Sequence, residues 1–355
     1  MSNVYYGDYL QLDTLLSSQK PKSEAHDETL FIIIHQVYEL WFKQILHELD
    51  SVITVFSEPH IPEKAMGRVV SRLARIHEIQ IVLNGQLKVI ETMTPLDFMD
   101  FRDFLTPASG FQSIQFRLIE MKLGLKLKHR TQFAKSMFLT RLTPEHQKML
   151  LEVEDQNSLL ELLDLWLCRF PLFSNPNFTF WADYKKQVYT MLTKDALTIK
   201  NNKTLSAEEI EMQLKQLEFT KKTFESIFDI DVHNQLLAEG KRQLSHQATL
   251  AALFISLYRD EPLLSQPYRL LTSLMDIDEA FTTWRHRHAI MAHRLLGTKI
   301  GTGGSSGHEY LKMAADNNRA YLDLFNLSTF LIPRSMRPVL SEEIRKQLNF
   351  GIDNV

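Results

Sequence analysis

The chain has 355 residues, with 40 Lys+Arg against 43 Asp+Glu, a net charge of −3, and 44% hydrophobic side chains. That balance excludes a disordered chain, since 22 Phe and 4 Trp can bury ample surface, and it lacks the basic excess of a nucleic-acid binder. One cysteine, Cys168, cannot form an internal disulfide, and no run of 18 apolar residues offers a membrane span.

In chain order, the first residues lack the basic-then-apolar order of a signal peptide, so the expected address is the cytosol. Tyr5, Tyr6, Tyr9, Leu10, Leu12 and Leu15 make residues 1–22 an apolar arm. Such an arm needs a surface to cover, on its own chain or on a neighbouring subunit. Residues 23–355 carry no linker and no repeat, and they read as a single domain.

The dominant period there is 3.6 residues. Leu30, Ile34, Val37, Trp41, Ile45 and Val52 form one apolar stripe. Val69, Leu73, Ile76, Leu83, Leu87 and Ile90 form a second, interrupted by Gln80. Thr94-Pro95 and Thr143-Pro144 pair an N-cap threonine with a proline in the first turn, and Ser206 to Glu209 reads as a capping box. A third stripe runs Leu274, Ile277, Phe281, Trp284, His288, Met291 and Leu295, and Gly297 follows it at a C-cap position. Alternating strand patterns are nearly absent, so the fold class is all-α. Five of the twelve glycines fall between Gly297 and Gly307. That stretch is either a tight helix-to-helix connection or a loop whose backbone N–H groups and hydroxyls approach a ligand closely.

The 13 histidines invite a metal reading. His286, His288 and His293 share one expected helix, yet 286 and 288 point ~200° apart and 288 and 293 ~140° apart. At most one of them serves a given site. His288 lies on the apolar stripe, four residues after Trp284. It is either a hydrogen-bonded core histidine or a single axial ligand to haem iron. His35 shares a helix face with Phe31, Tyr38 and Phe42 and is open to similar alternatives. His26-Asp27-Glu28 has the spacing of a two-histidine iron site but reads better as acidic residues at a helix start. Arg102 stands in an apolar setting that demands a partner, either a distant carboxylate or a carboxylate on a substrate. Lys122, Lys126, Lys128, His129 and Arg130 read as a solvated basic surface, and Cys168 as the edge of a core.

Several of these segments resemble the tryptophan 2,3-dioxygenases. They are Tyr6-Gly7-Asp8-Tyr9-Leu10; His26-Asp27-Glu28 through Trp41-Phe42-Lys43-Gln44; Glu91-Thr92-Met93-Thr94-Pro95 through Ser109-Gly110-Phe111-Gln112-Ser113; and Leu271 through the glycine loop to Ser328. The likeness is weak from about 121 to 205 and after Pro333. The resemblance implies one helical-bundle domain with a haem b pocket between helices. It implies insertion of both atoms of O2 across the C2–C3 bond of L-tryptophan, giving N-formylkynurenine. On this resemblance His288 is the iron ligand and His35 hydrogen-bonds the indole N–H. Phe31 and Phe98 wall the indole, Arg102 clamps the carboxylate, and Thr302 holds the amino-acid end. Ser109 sits above the haem, and Phe116, Arg117, Trp284 and Tyr310 surround the porphyrin. Tyr6 and Tyr9 come from a neighbouring subunit of a homotetramer. The rival readings are a haem enzyme adding one oxygen to a simple indole, and a non-catalytic haem sensor.

Overall fold

The apolar stripes fold as helices in the computed structural model, which describes residues 4–129, 139–171, 179–297, 299, 311–312 and 318–348, with backbone alone at 63 and 129. The helices are α1 (Tyr6–Leu10), α2 (Leu12–Leu16), α3 (His26–Phe56), α4 (Glu63–Ile90), α5 (Pro95–Arg102), α6 (Ile114–Leu123), α7 (Pro144–Glu154) and α8 (Leu159–Cys168). They continue with α9 (Phe180–Lys200), α10 (Ala207–Phe228), α11 (Ile230–Ala238), α12 (His246–Leu257), α13 (Pro262–Leu296), α14 (Leu322–Asn326) and α15 (Glu342–Gln347). Among the described residues there is no strand, so the protein is all-α. No described helix is long and apolar enough to cross a membrane.

The expected caps form. Thr94 accepts from the Asp97 N–H while the Asp97 carboxylate accepts from the Thr94 N–H, which closes a capping box with Pro95 in the first turn. Thr143 caps α7 by accepting from the His146 N–H ahead of Pro144, and Ser206 closes a capping box with Glu209 at the start of α10. Gly297 ends α13 at φ +60°, in the left-handed region where a Cβ is costly.

Contacts divide the chain into two units, each built from three separated segments. The first comprises Met1–Val52, Arg72–Ser158 and Asp276–Ala320. In it Leu73, Ile76, Leu83, Leu87 and Ile90 of α4 are buried, as are Ile277, Phe281, Met291 and Leu295 of α13. Gln80 breaks the α4 stripe because its amide has work to do: it is buried, and Nε2 donates to the Ile277 carbonyl at 3.1 Å. Asn84, one turn on, donates to the Ala280 carbonyl at 3.2 Å. A second apolar cluster joins Leu118, Met121, Leu127, Leu142 and Leu150.

The basic cluster departs from expectation at Lys126. That side chain is buried, and its ammonium donates to the carbonyls of Glu154 and Gln156 at the end of α7. A cation there satisfies carbonyls that the helix leaves unpaired. Arg130 lies outside the described residues.

The second unit comprises Ile53–Ser71, Leu159–Met275 and Tyr321–Val355. Its core is aromatic: Phe180 stacks on Tyr184 and meets Phe254 and Tyr258 edge-on. Asp323 is buried and accepts from the N–H groups of Gln243 and Leu244. Cys168 is half-buried beside Asp164 and Ser245, and burial pushes its thiol pKa up, as suits a core edge.

Candidate active site

The candidate residues gather in the first unit. On α3, Phe31 and His35 are one turn apart, with ring centroids 4.1 Å from each other. Phe98 and Phe101 of α5 close the far side of Phe31, at 5.9 and 5.5 Å. Arg102 follows Phe98 by four residues and so shares its helix face; it is half-buried. His35 Nδ1 lies 2.7 Å from the Phe31 carbonyl. A carbonyl only accepts, so Nδ1 carries the proton and Nε2 presents a lone pair. Burial holds the His35 pKa below its ordinary value, against weaker opposing effects of the Phe31 bond and Glu39, and the ring stays neutral.

From α13 come Trp284 and His288, stacked at 4.9 Å with planes 11° apart. Burial pulls the His288 pKa down to about 4, and the His35 charge adds to the effect. His35 is exposed and His288 partly so by accessible surface, yet both are densely surrounded by protein. His286 and His293 are exposed on other faces of α13, as the helical wheel requires.

Phe116 of α6 packs on Trp284 at 5.2 Å, on Phe42 at 5.5 Å and on Phe281 at 6.0 Å. Next to it, Arg117 is buried and pairs with Glu120 at 3.2 Å; Glu120 also pairs with Arg285 at 2.8 Å. Two guanidiniums thus share one carboxylate in the interior. Arg285 donates further to the Asn318 carbonyl at 2.8 Å. Ser109 is half-buried at the N-cap of the short turn Gly110–Gln112, where its hydroxyl accepts from the Phe111 N–H. Trp284 Nε1 donates to the Tyr38 hydroxyl at 3.2 Å, which donates in turn to the Leu83 carbonyl at 2.6 Å. Burial pushes the Tyr38 phenol up to about 12, so it remains a donor at any ordinary pH.

Phe31, His35 and Phe98 thus form one set of contacts and Phe116, Arg117, Trp284 and His288 another, and Tyr38 of α3 joins them by packing on Trp284. Thr302 and Tyr310 lie outside the described residues. Tyr6 and Tyr9 sit on α1, and this chain leaves them 71% and 75% exposed. Glu28 is not a metal ligand; its carboxylate accepts from Lys22 N–H, Ser23 N–H and the Ser23 hydroxyl. Sequence reasoning missed Glu120 and Arg285, and it placed Tyr38 on the right face without a partner.

The donor set suits a group held by one protein ligand. Among the described residues no three His, Cys, Asp or Glu side chains gather as a chelating cluster. His288 offers one neutral imidazole stacked on Trp284, and Arg117 brings a buried guanidinium beside Phe116. These features fit a porphyrin.

A family model described as tryptophan 2,3-dioxygenase matches residues 1–331. Proteins named tryptophan 2,3-dioxygenase are similar along nearly the whole chain. The Alteromonas mediterranea protein is 49% identical over 351 residues, 98% of this chain and 97% of its own. The Bdellovibrio bacteriovorus protein is 50% identical, covering 98% of each. The Mus musculus protein is 45% identical, covering 97% of this chain and 86% of its own.

Proposed function

The chain belongs to the tryptophan 2,3-dioxygenase family, and from that premise we propose the chemistry of its site. The enzyme opens the indole ring of L-tryptophan with O2 to give N-formyl-L-kynurenine. The observation that carries the site assignment is geometric: His288 of α13 stacks on Trp284, whose Nε1 bonds the Tyr38 hydroxyl of α3, and one turn earlier on α3 His35 stands against Phe31, which meets Phe98.

His288 would hold haem b, with Phe116, Arg117, Trp284 and Tyr310 around it, and the haem would supply the activation of O2. The chain's own residues do the rest. His35 Nε2 accepts the indole N–H, because Nδ1 is committed to the Phe31 carbonyl. Phe31 and Phe98 hold the ring plane. Arg102 pairs with the substrate carboxylate and Thr302 with the amino-acid end, which fixes the reacting carbons in place. Ser109, at the N-cap of the Gly110–Gln112 turn, would border the bound haem. No strong general base is needed, and burial that lowers the His35 pKa makes the ring a weak base, suited to accepting the indole hydrogen bond rather than to taking its proton.

The working assembly is a homotetramer in the cytoplasm, with the arm of residues 1–22 exchanged so that Tyr6 and Tyr9 complete a neighbour's site. Residues 23–355 act as one catalytic domain. The exposure of both tyrosine rings within one chain supports that reading.

Arg102, on the Phe98 face, favours an amino-acid substrate over a simple indole, which would leave the guanidinium without its carboxylate. The test is turnover of L-tryptophan by the reduced holoprotein under ¹⁸O2, followed at the N-formylkynurenine absorbance and by mass spectrometry. Two labelled atoms are expected in the product. One label favours a monooxygenase, and haem binding without turnover favours a sensor.

A further inference from the structure

We propose that Tyr38 is a positioning residue that sets the plane of the His288 imidazole through Trp284. The inference rests on His288 being the iron ligand and deepens that reading.

Trp284 and His288 stand four residues apart on α13, with ring planes within 11° and centroids 4.9 Å apart. A parallel neighbour at that spacing restricts rotation of the imidazole about its side-chain bonds. The restriction is only as firm as the indole that imposes it. Trp284 has one hydrogen-bond donor, Nε1, and it is committed to the Tyr38 hydroxyl at 3.2 Å. That hydroxyl is free to accept because its own proton is spent on the Leu83 carbonyl at 2.6 Å. The chain of donors therefore has one direction, from Trp284 through Tyr38 to Leu83.

Its terminus is well anchored. Leu83 lies on α4, whose Gln80 and Asn84 amides bond to the Ile277 and Ala280 carbonyls of α13. Arg287 of α13 also donates to the Asn84 carbonyl. The carbonyl that orients Tyr38 is thus fixed relative to the helix that bears His288. Tyr38 itself is buried, with its ring 6.0 Å from Trp284. It sits three residues from His35, so a single helix, α3, orients groups on both sides of the site. Groups that orient a ligand from behind are commonly worth ten- to a hundredfold in metal affinity or activity.

The experiment uses haem-loaded, full-length protein in four forms: wild type, Tyr38→Phe, Trp284→Phe and the double variant. Haem loss to an excess of acceptor globin is timed, and the low-spin ferric form is examined by electron paramagnetic resonance. Phenylalanine at 38 keeps the packing and removes the acceptor. Tyr38→Phe is expected to speed haem loss by about tenfold and to shift the g values. Trp284→Phe is expected to do likewise, and the double variant to go no further than the larger single effect. A Tyr38→Phe rate within twofold of wild type, or effects that multiply in the double variant, overturns the proposal. Solvent exchange of the Trp284 indole N–H in wild-type protein gives an independent reading: slow exchange supports the bond, and exchange as fast as that of a free indole refutes it. Haem retention by His288→Ala, measured separately, overturns the ligand assignment rather than the Tyr38 link.

Discussion

Replacing Glu120 by glutamine removes the carboxylate that Arg117 and Arg285 share. The three side chains are only 8%, 3% and 6% exposed, so solvent cannot take over the role. Removing one partner of a buried ion pair costs about 3–5 kcal/mol, because charge stays buried without its counter-charge. Glu211→Gln is the matched control. Its pair with Lys215 lies on the surface at 69% and 75% exposure, where solvent screens it and no measurable change is expected. With a urea slope of about 3 kcal/mol/M, the Glu120→Gln midpoint should fall by about 1–1.7 M. Denaturation followed by circular dichroism and by tryptophan fluorescence provides the comparison. Midpoints for the two variants within about 0.3 M of each other would refute the claim that the interior depends on that carboxylate.

His288→Ala should lose haem in a pyridine haemochrome assay, while His286→Ala and His293→Ala, at exposed positions, should keep it. Arg102→Ala should lower kcat/KM for L-tryptophan by at least about tenfold, and activity on an indole lacking a carboxylate far less; equal losses would assign Arg102 a structural role. Burial holds the His246 pKa below 6.5, with His233 adding to the effect and the Ile227 carbonyl and Asp229 opposing it. The unfolded chain then binds more protons between the two pKa values, so the stability that His246 confers is full above about 6.5 and falls as pH drops below it. His246→Gln should flatten the stability difference between about pH 7.5 and 5, and an unchanged slope would remove His246 as its source. A chain lacking residues 1–12, mixed with an intact-arm His288→Ala chain, should recover activity in hybrid oligomers; hybrids without recovery would end the exchanged-arm reading.

Much of the helical scaffold was legible because burial and period coincide. The α13 stripe singled out His288 against two neighbouring histidines that the fold leaves exposed. The apolar setting of Arg102 was a fair guide to its half-buried place beside Phe98. Gln80 was visible only as a flaw, since its partner, the Ile277 carbonyl, is nearly two hundred residues away. The same distance hid the Glu120–Arg285 pair, for no local pattern distinguishes a glutamate facing inward toward an arginine from one facing water. Lys126 misled for the opposite reason. A lysine among lysines reads as surface, and only the approach of the α7 carbonyls makes its burial tolerable.

The segmented build of the two units has a consequence for synthesis on the ribosome. The first unit needs its third segment, which begins at Asp276, and the second needs Tyr321 onward. At about 5–20 residues per second, helix α3 waits roughly ten to forty seconds for the stretch of α13 that belongs with it. During that interval Tyr38, buried in the finished molecule, lacks the Trp284 ring it packs against. The nascent chain is therefore expected to depend on chaperone cover until late in translation, and a ribosome stalled before Asp276 should display a form that proteases cut readily within α3 and α4.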